Sequence, residues 1–284
     1  NACDVMENNN RLEFLLYYGA NQLNCDTPFN QNEHRWHLTQ LQFYIHAIEL
    51  QNNQGQWHAV SPSITAGDQQ TVALVGGVCG AEQQWQVKLK EMIELNDQQA
   101  VRFTLGVPFH LNHKNPLTQP SPLNQPDMFW TWQNGHKFLR LEMATDDKNW
   151  LFHLGSTGCQ SPAPVRPPES ACKNPNRRQI TLALPQKTSP QQTANSKSIN
   201  KDSVNRLSDS SDTIPIKLDL KALLGDIDLT KDTSCQSNPA TKSCPVLLSK
   251  LGIITETGNA EKNTYEAIKS ERSNNVQTVF TIIE

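Results

Sequence analysis

LTQLQFYIHAIEL, residues Leu38 to Leu50, is the stretch on which the fold turns. Successive side chains of an extended chain point to opposite faces. Leu41, Phe43 and Ile45 therefore share one face, while Tyr44, His46 and Ile48 share the other. Both faces carry apolar residues, so this segment reads as a strand covered on both sides. The pattern repeats on either side of it in RLEFLLYYGA, TVALVG, WQVKLKEMIEL, AVRFTLGV, FWTWQ, KFLRLEM, NWLFHLG and RQITLAL. Gly, Pro, Asn and Asp cluster between these runs, a spacing that suits an antiparallel arrangement better than βαβ units. The expected fold is mainly β: an antiparallel β-sandwich or barrel-like domain with a few short helices, stapled by disulfides. A parallel sheet is not expected.

Three regions follow from the composition. Residues 1–185 read as a β-rich domain. Residues 186–212 are dominated by Ser, Thr, Asn, Gln and Lys, too polar to bury enough surface to offset the entropy of ordering, and read as a linker or long loop. Residues 213–284 read as a small C-terminal segment packed back on the main domain. Within it IPIKLDLKALLGDIDL suggests a strand leading into a short helix, CPVLLSKLGI a further helical turn, and NNVQTVFTIIE a closing strand.

The chain has 284 residues and a formal net charge of -3, without the basic stripe of a nucleic-acid-binding surface. No apolar run approaches the roughly 20 residues needed to span a bilayer. The opening NACDVMENNN lacks the regions of a signal peptide, so a soluble, already processed chain is expected. Most of the seven cysteines lie beside Gly, Pro, Ser and Asn, which favours disulfides and an oxidising compartment. Cys159 and Cys172 bracket a proline-rich loop, Cys235 and Cys244 bracket CQSNPATKSC, and Cys25 and Cys79 remain as a long-range pair. Spacing alone does not fix that connectivity. Cys3 is left as a free, intermolecular or lipid-bearing residue. A structural zinc site is the alternative, but no CxxC spacing occurs.

The residues with chemical potential are a thioether, two indoles and a few histidines. Met128, Trp130 and Trp132 stand at i, i+2 and i+4, so on a strand they share one face. His153, in NWLFHLG, can be aimed inward beside Leu151, and Met128 with His153 makes a chemically reasonable Cu(I) pair because soft cations favour thioether and imidazole. Methionine beside tryptophan is also what ordinary core packing looks like. His46 suits a hydrogen-bonded core histidine more than a ligand, and His113 lies in the turn-like LNHKNP. His34, His37 and His58 fall in polar sequence that suits surface histidines. Asp146 to Lys148 is too isolated for a calcium or magnesium loop. No Gly-rich phosphate loop, HExxH helix or GxSxG elbow is present.

The ordered blocks RFTLGVPFHLNH, PSPLN, MFWTWQNGHKFLR, FHLGSTGC and CKNPNR resemble the MbnP-type proteins, the four-Cys member of the metallo-mystery pair. The resemblance covers most of the chain, from LTQLQFYIHAIEL to KLDLKALLGDIDL and the last cysteines. TVALVGG lacks expected acidic residues, His136 stands where that family commonly has tyrosine, and Lys187 to Asp212 looks like an insertion. The resemblance implies a periplasmic or cell-surface protein, secreted through a removed signal peptide, that is not an enzyme and binds one Cu(I) in a copper-homeostasis role. It implies a site of Met128, Trp130 and His153, in which Trp130 is oxidised to kynurenine, with Trp132, His113 and His46 as groups that shape the site or orient its ligands. The oxidant it implies is a separate di-haem c-type protein of the MauG and bacterial cytochrome c peroxidase class. The chain itself carries no CxxCH haem attachment sequence. A second reading from a different class is a secreted β-sandwich recognition module in which Trp130 and Trp132 form an aromatic platform for a glycan or protein. A metal-dependent hydrolase ranks below both, for want of paired histidines with a general base.

Overall fold

The computed structural model describes residues 8–63, 71–163, 165–186, 212–254 and 276–283. Cys3 and residues 187–211 of the expected linker lie outside the described residues. The chain runs through β1 (Arg11–Tyr18), β2 (Asn21–Gln22), β3 (Phe29–Gln31), β4 (His34–Asn52), β5 (Trp57–Val60), β6 (Val72–Val78), β7 (Gln86–Lys88) and β8 (Gln98–Leu105). A single helical turn, α1 (Phe109–Asn112), is followed by β9 (Phe129–Thr131), β10 (Gly135–Ala144), β11 (Asn149–Gly155) and β12 (Arg178–Ala183). The C-terminal part supplies β13 (Thr213–Asp219), α2 (Leu220–Leu224), α3 (Ser243–Lys250) and β14 (Phe280–Ile282).

These strands form two sheets. The larger runs β11-β10-β4-β8-β12, with β3, β5 and β6 also on β4 and β9 on β10; the smaller runs β14-β13-β1-β2, with β7 on β1. The LTQLQFYIHAIEL segment thus lies within the strand that most of the larger sheet pairs with. Its alternation changes at one point. Ala47 has φ +49° and sits in a register shift between His46 and Glu49 against β8, so one extra residue is inserted there. The bulge returns Ile48 and Leu50 to the buried face of Leu41, Phe43 and Ile45, correcting the expectation that Ile48 shares a face with Tyr44 and His46.

The core lies between the sheets, where Phe14 of β1 meets Phe43 of β4 at 5.3 Å and Phe103 of β8 at 5.8 Å between ring centroids, both edge to face. Phe280 of β14 closes the cluster against Phe43 and Phe103. The arrangement is a β-sandwich-like fold. One departure from the antiparallel expectation is local: β1 and β13 pair in parallel over Arg11–Tyr17 and Thr213–Asp219, because the C-terminal strand returns from a distant part of the chain rather than through a hairpin. WQVKLKEMIEL also departs, being strand only over Gln86–Lys88. Beyond it the carbonyl of Ile93 accepts from the Asn10 side chain at 2.6 Å instead of joining a ladder.

Disulfides join Cys25 to Cys79, Cys159 to Cys172 and Cys235 to Cys244. The last has a positional consequence. The backbone at Cys235 bonds β11 on both sides of Phe152, accepting from His153 N at 2.8 Å and donating to Leu151 O at 3.0 Å. The edge of β11 is thereby covered by a stapled C-terminal segment.

Candidate metal centre

The site is built where β10 and β11 lie side by side, with Arg140 opposite His153 and Glu142 opposite Leu151. Residues two apart on β10 share a face, so the Arg140 guanidinium reaches Glu142, Nε to Oε1 at 2.7 Å. The same carboxylate oxygen meets His153 Nε2 at 2.8 Å. Burial alone would raise the Glu142 carboxyl, but hydrogen bonds from Arg140 and His153 hold it below its ordinary value, so it is an anion. Burial holds the His153 imidazole below its ordinary value and outweighs the pull of Glu142, so the ring is neutral at pH 7. A neutral imidazole beside a carboxylate carries its proton on the nitrogen that faces it, so Nε2–H donates to Glu142 and the lone pair is on Nδ1. That Nδ1 atom is buried and meets no hydrogen-bond partner among the described residues. A buried polar atom without a partner is uncommon and asks for an explanation.

Trp130 fills the space on this side of β11. Its ring centroid is 6.5 Å from that of His153, the planes inclined at 46°. Its six-membered ring lies over Gly155, two residues beyond His153 on the same strand face, so tightly that a Cβ there would overlap Cζ3 and stand 2.9 Å from Cη2. Glycine at 155 is therefore a condition of the Trp130 position. Two loops fix this strand end: Asn176 donates to Gly155 O at 2.8 Å, and the Ser237 hydroxyl accepts from Gly155 N and donates to His153 O, each at 3.0 Å. These contacts link the FHLGSTGC and CKNPNR blocks with the C-terminal cysteine segment.

Met128 is fully buried at the end of a 3-10 turn, Pro126–Met128, immediately before β9. Its neighbour Asp127 is tied to β10 through its carbonyl, which accepts from Lys137 Nζ at 2.6 Å and Arg140 Nη1 at 3.1 Å. One network thus connects the backbone beside Met128, through Arg140 and Glu142, to His153. The expected face shared by Met128, Trp130 and Trp132 is not formed, because only Phe129–Thr131 is strand. Trp132 stands in the turn leading to Gly135, whose φ of +77° and approach to Asn112 O leave no room for a side chain. Trp132 instead contacts Phe129 edge to face and lines a cleft with Phe109 and His113.

His113 donates Nδ1–H to Trp132 O at 3.1 Å, while its Nε2 faces Asn112 Nδ2 at 3.1 Å and Cys172 Sγ at 3.7 Å. It supports the WTW turn from the far side. His46 bonds Gly106 O at 2.9 Å, and the charges that act on it come from Arg177 and His110. His136, fully buried, presents Nδ1 to Asn112 O at 2.7 Å and Nε2 to Leu123 O at 3.1 Å. Of these histidines, His153 has the free and buried ring nitrogen.

The donor chemistry at His153 fits a soft monovalent metal: a neutral imidazole lone pair oriented by a carboxylate on its other nitrogen, near a segment that carries a buried thioether. Another grouping, His113 with Cys159 and Cys172, brings ligand-type atoms within 4.8 Å of one another. Its sulfurs are joined in a disulfide, so as it stands it lacks the thiolates that a metal would need. Glu142, Arg140, Lys137 and Gly155 were not singled out from the sequence. The one available signal is the charge in the strand-like KFLRLEM, where Lys137, Arg140 and Glu142 interrupt the apolar residues.

Comparison with known proteins places the fold and the family. No curated protein matches the sequence. Among solved structures, MbnP from Methylosinus trichosporium superposes with a TM-score of 0.69 at 19% identity, covering 96% of each chain. At that identity the likeness shows the fold. The MbnP family model matches residues 7–237, which takes in β1 to β13, the Met128–Trp132 turn, His153 and the first five cysteines of the three disulfides. With most of its length and every element of the candidate site inside that match, the chain belongs to the MbnP family.

Proposed function

We propose that this protein is a periplasmic or cell-surface copper-binding protein, not an enzyme, in which His153, Met128 and an oxidised Trp130 hold Cu(I). The observation that carries the reading is the His153 Nδ1 atom, buried, unprotonated and unpartnered, with the Glu142 carboxylate fixing the ring from the other nitrogen. Cu(I) at this place would take the imidazole nitrogen and the Met128 thioether, both soft enough to favour it over the hard divalent cations.

Indole offers an N–H donor and no ligand lone pair. Oxidative cleavage of the Trp130 C2–C3 bond with addition of two oxygen atoms, then hydrolytic loss of the formyl group as formate, leaves kynurenine. Its aryl amine and ketone can approach a metal. The oxidant in this reading is a di-haem c-type protein of the MauG and bacterial cytochrome c peroxidase class, since the chain has no haem attachment sequence of its own. Trp130 is half-buried rather than sealed in the core, as a side chain acted on by a separate protein must be. Three disulfides agree with an oxidising compartment, and among the described residues no helix is long and apolar enough to cross a membrane. In this reading the protein serves copper homeostasis as a binder. The aromatic-platform reading has less support, because Trp130 lies on Gly155 while Trp132 turns toward Phe109 and His113.

The test is peptide-resolved mass spectrometry of protein made with and without the di-haem partner, with copper counted in both. The expected result is a partner-dependent gain of about 4 Da on the Trp130 peptide, one ring carbon replaced by one oxygen, together with retained copper. Copper retained by protein with intact Trp130 would reduce the site to histidine and methionine. Intact Trp130 and no copper, with the partner present and active, would overturn the reading.

A further inference from the structure

The cleft beside Trp132 holds a second set of soft donors that the copper reading does not use. His113 Nε2, Cys159 Sγ and Cys172 Sγ lie within 4.8 Å of one another, and all three residues are buried. His113 gives its Nδ1 proton to Trp132 O, so Nε2 holds a lone pair on the side where Cys172 Sγ lies at 3.7 Å. The loop between the cysteines is held to the same turn, with Gln133 Nε2 donating to Cys159 O at 2.9 Å. An open cleft of about 500 Å³, lined by Phe109, His110, His113, Lys114, Trp132 and Pro167, leads to the imidazole.

We propose that His113, Cys159 and Cys172 form a second metal site, which takes one Cu(I) when the Cys159–Cys172 disulfide is reduced. The reductant is a dithiol. It forms an internal S–S bond as the Cys159–Cys172 bond breaks, and each cysteine sulfur takes one proton. Cu(I) binding then displaces both protons to solvent and leaves the copper oxidation state unchanged. Two thiolates and one imidazole make a three-donor set, which suits Cu(I), whereas structural zinc wants four ligands. The resulting site carries one net negative charge, offset by Arg177, whose cation already acts on His113. The metal replaces one hydrogen bond at Nε2, that from Asn112 Nδ2. Asn112 stays anchored through Oδ1 and its carbonyl to His136. The consequence is a protein whose copper capacity rises under reducing conditions, through a site separate from His153.

The test uses full-length His153→Ala protein, so that the first site is silent. It is titrated anaerobically with Cu(I) delivered as a bicinchoninate complex, before and after reduction by dithiothreitol and removal of the reductant. A His153→Ala/Cys159→Ser/Cys172→Ser form, reduced in parallel, counts copper taken by the other cysteine pairs. The expected result is one more Cu(I) in the reduced parent than in that control, with affinity falling by at least about tenfold on His113→Ala or His113→Gln as one of three ligands is lost. Equal copper in parent and control overturns the proposal, as does full affinity in either folded His113 variant. Loss of the folded circular dichroism spectrum on reduction overturns it too, because the site then has no existence in the reduced chain.

Discussion

The β9–β10 hairpin hands one tryptophan to each of two histidines, and the two sides differ in how the imidazole is used. On one side Trp130 faces His153, whose Nε2 is held by a carboxylate and whose Nδ1 meets nothing. On the other, Trp132 lies with His113, whose Nδ1 is bonded to a carbonyl and whose Nε2 already has the Asn112 amide. Both rings are buried and both are neutral through burial. Burial therefore does not distinguish the two histidines. What distinguishes them is whether the fold leaves a lone pair without a partner, and sulfur chemistry adds the second difference. The sulfur proposed to serve with His153 is the Met128 thioether, which needs no reduction; beside His113 the sulfurs are locked together.

The comparison can be broken most severely at Gly155. A side chain there must displace the Trp130 ring. Gly155→Val should lower stability by about 1–3 kcal/mol, the usual cost of overpacking, and should abolish copper retention even in folded protein. Thermal unfolding with copper counting checks both. Removing the Cys235–Cys244 staple comes next. Its backbone covers β11 beside His153. The Cys235→Ser/Cys244→Ser pair should cost about 2 kcal/mol or more by loosening the unfolded chain, with weaker copper binding in addition. Urea unfolding checks it: the midpoint should fall, and the slope should rise as the unfolded chain expands without its cross-link.

Glu142→Gln sharpens the comparison rather than breaking it. The amide can still bond His153 but no longer supplies the charge that fixes the tautomer. Copper affinity should fall by about 10–100-fold with the fold intact, the usual effect of a lost orienting partner. An equal loss from a substitution at His58, an exposed histidine on β5, would show that the effect is not specific to the site. The smallest effect concerns pH. His46, His113, His136 and His153 are all held below the ordinary value of 6.5 by burial, so the folded protein binds fewer protons than the unfolded chain in acid. Their contribution is present in full above pH 6.5 and is lost as pH falls through the lowered folded values. Metal-free protein should therefore melt at progressively lower temperature below pH 6.5, and His153→Gln should flatten that slope by roughly one histidine's share. A slope unchanged in His153→Gln would place the proton elsewhere.

Much of the sandwich was legible because alternation is a local property. RLEFLLYYGA, AVRFTLGV, KFLRLEM, NWLFHLG and RQITLAL each became a strand, and IPIKLDLKALLGDIDL became β13 running into α2. The three candidate cysteine pairs also joined, Cys159–Cys172 and Cys235–Cys244 across the loops they bracket and Cys25–Cys79 as the remaining long-range pair. What failed to show depends on where distant strands meet. The Ala47 bulge moves Ile48 to the opposite face with no change in residue types, and the parallel β1–β13 pairing depends on a segment far along the chain. The site divides in the same way. Met128, Trp130 and His153 were named through family resemblance, but the carboxylate that orients His153 could be found only from the register that sets Arg140 opposite it. Gly155 was invisible for the same reason, since its role is defined by an indole arriving from another strand.

The central claim is most directly tested by setting the two histidines against each other. Protein co-produced with the proposed di-haem oxidant and kept oxidised is prepared as parent, His153→Ala and His113→Ala, and retained copper is counted after challenge with a Cu(I) chelator. The account predicts copper retained by parent and His113→Ala and lost from His153→Ala. Retention by folded His153→Ala, or loss confined to His113→Ala, would contradict it.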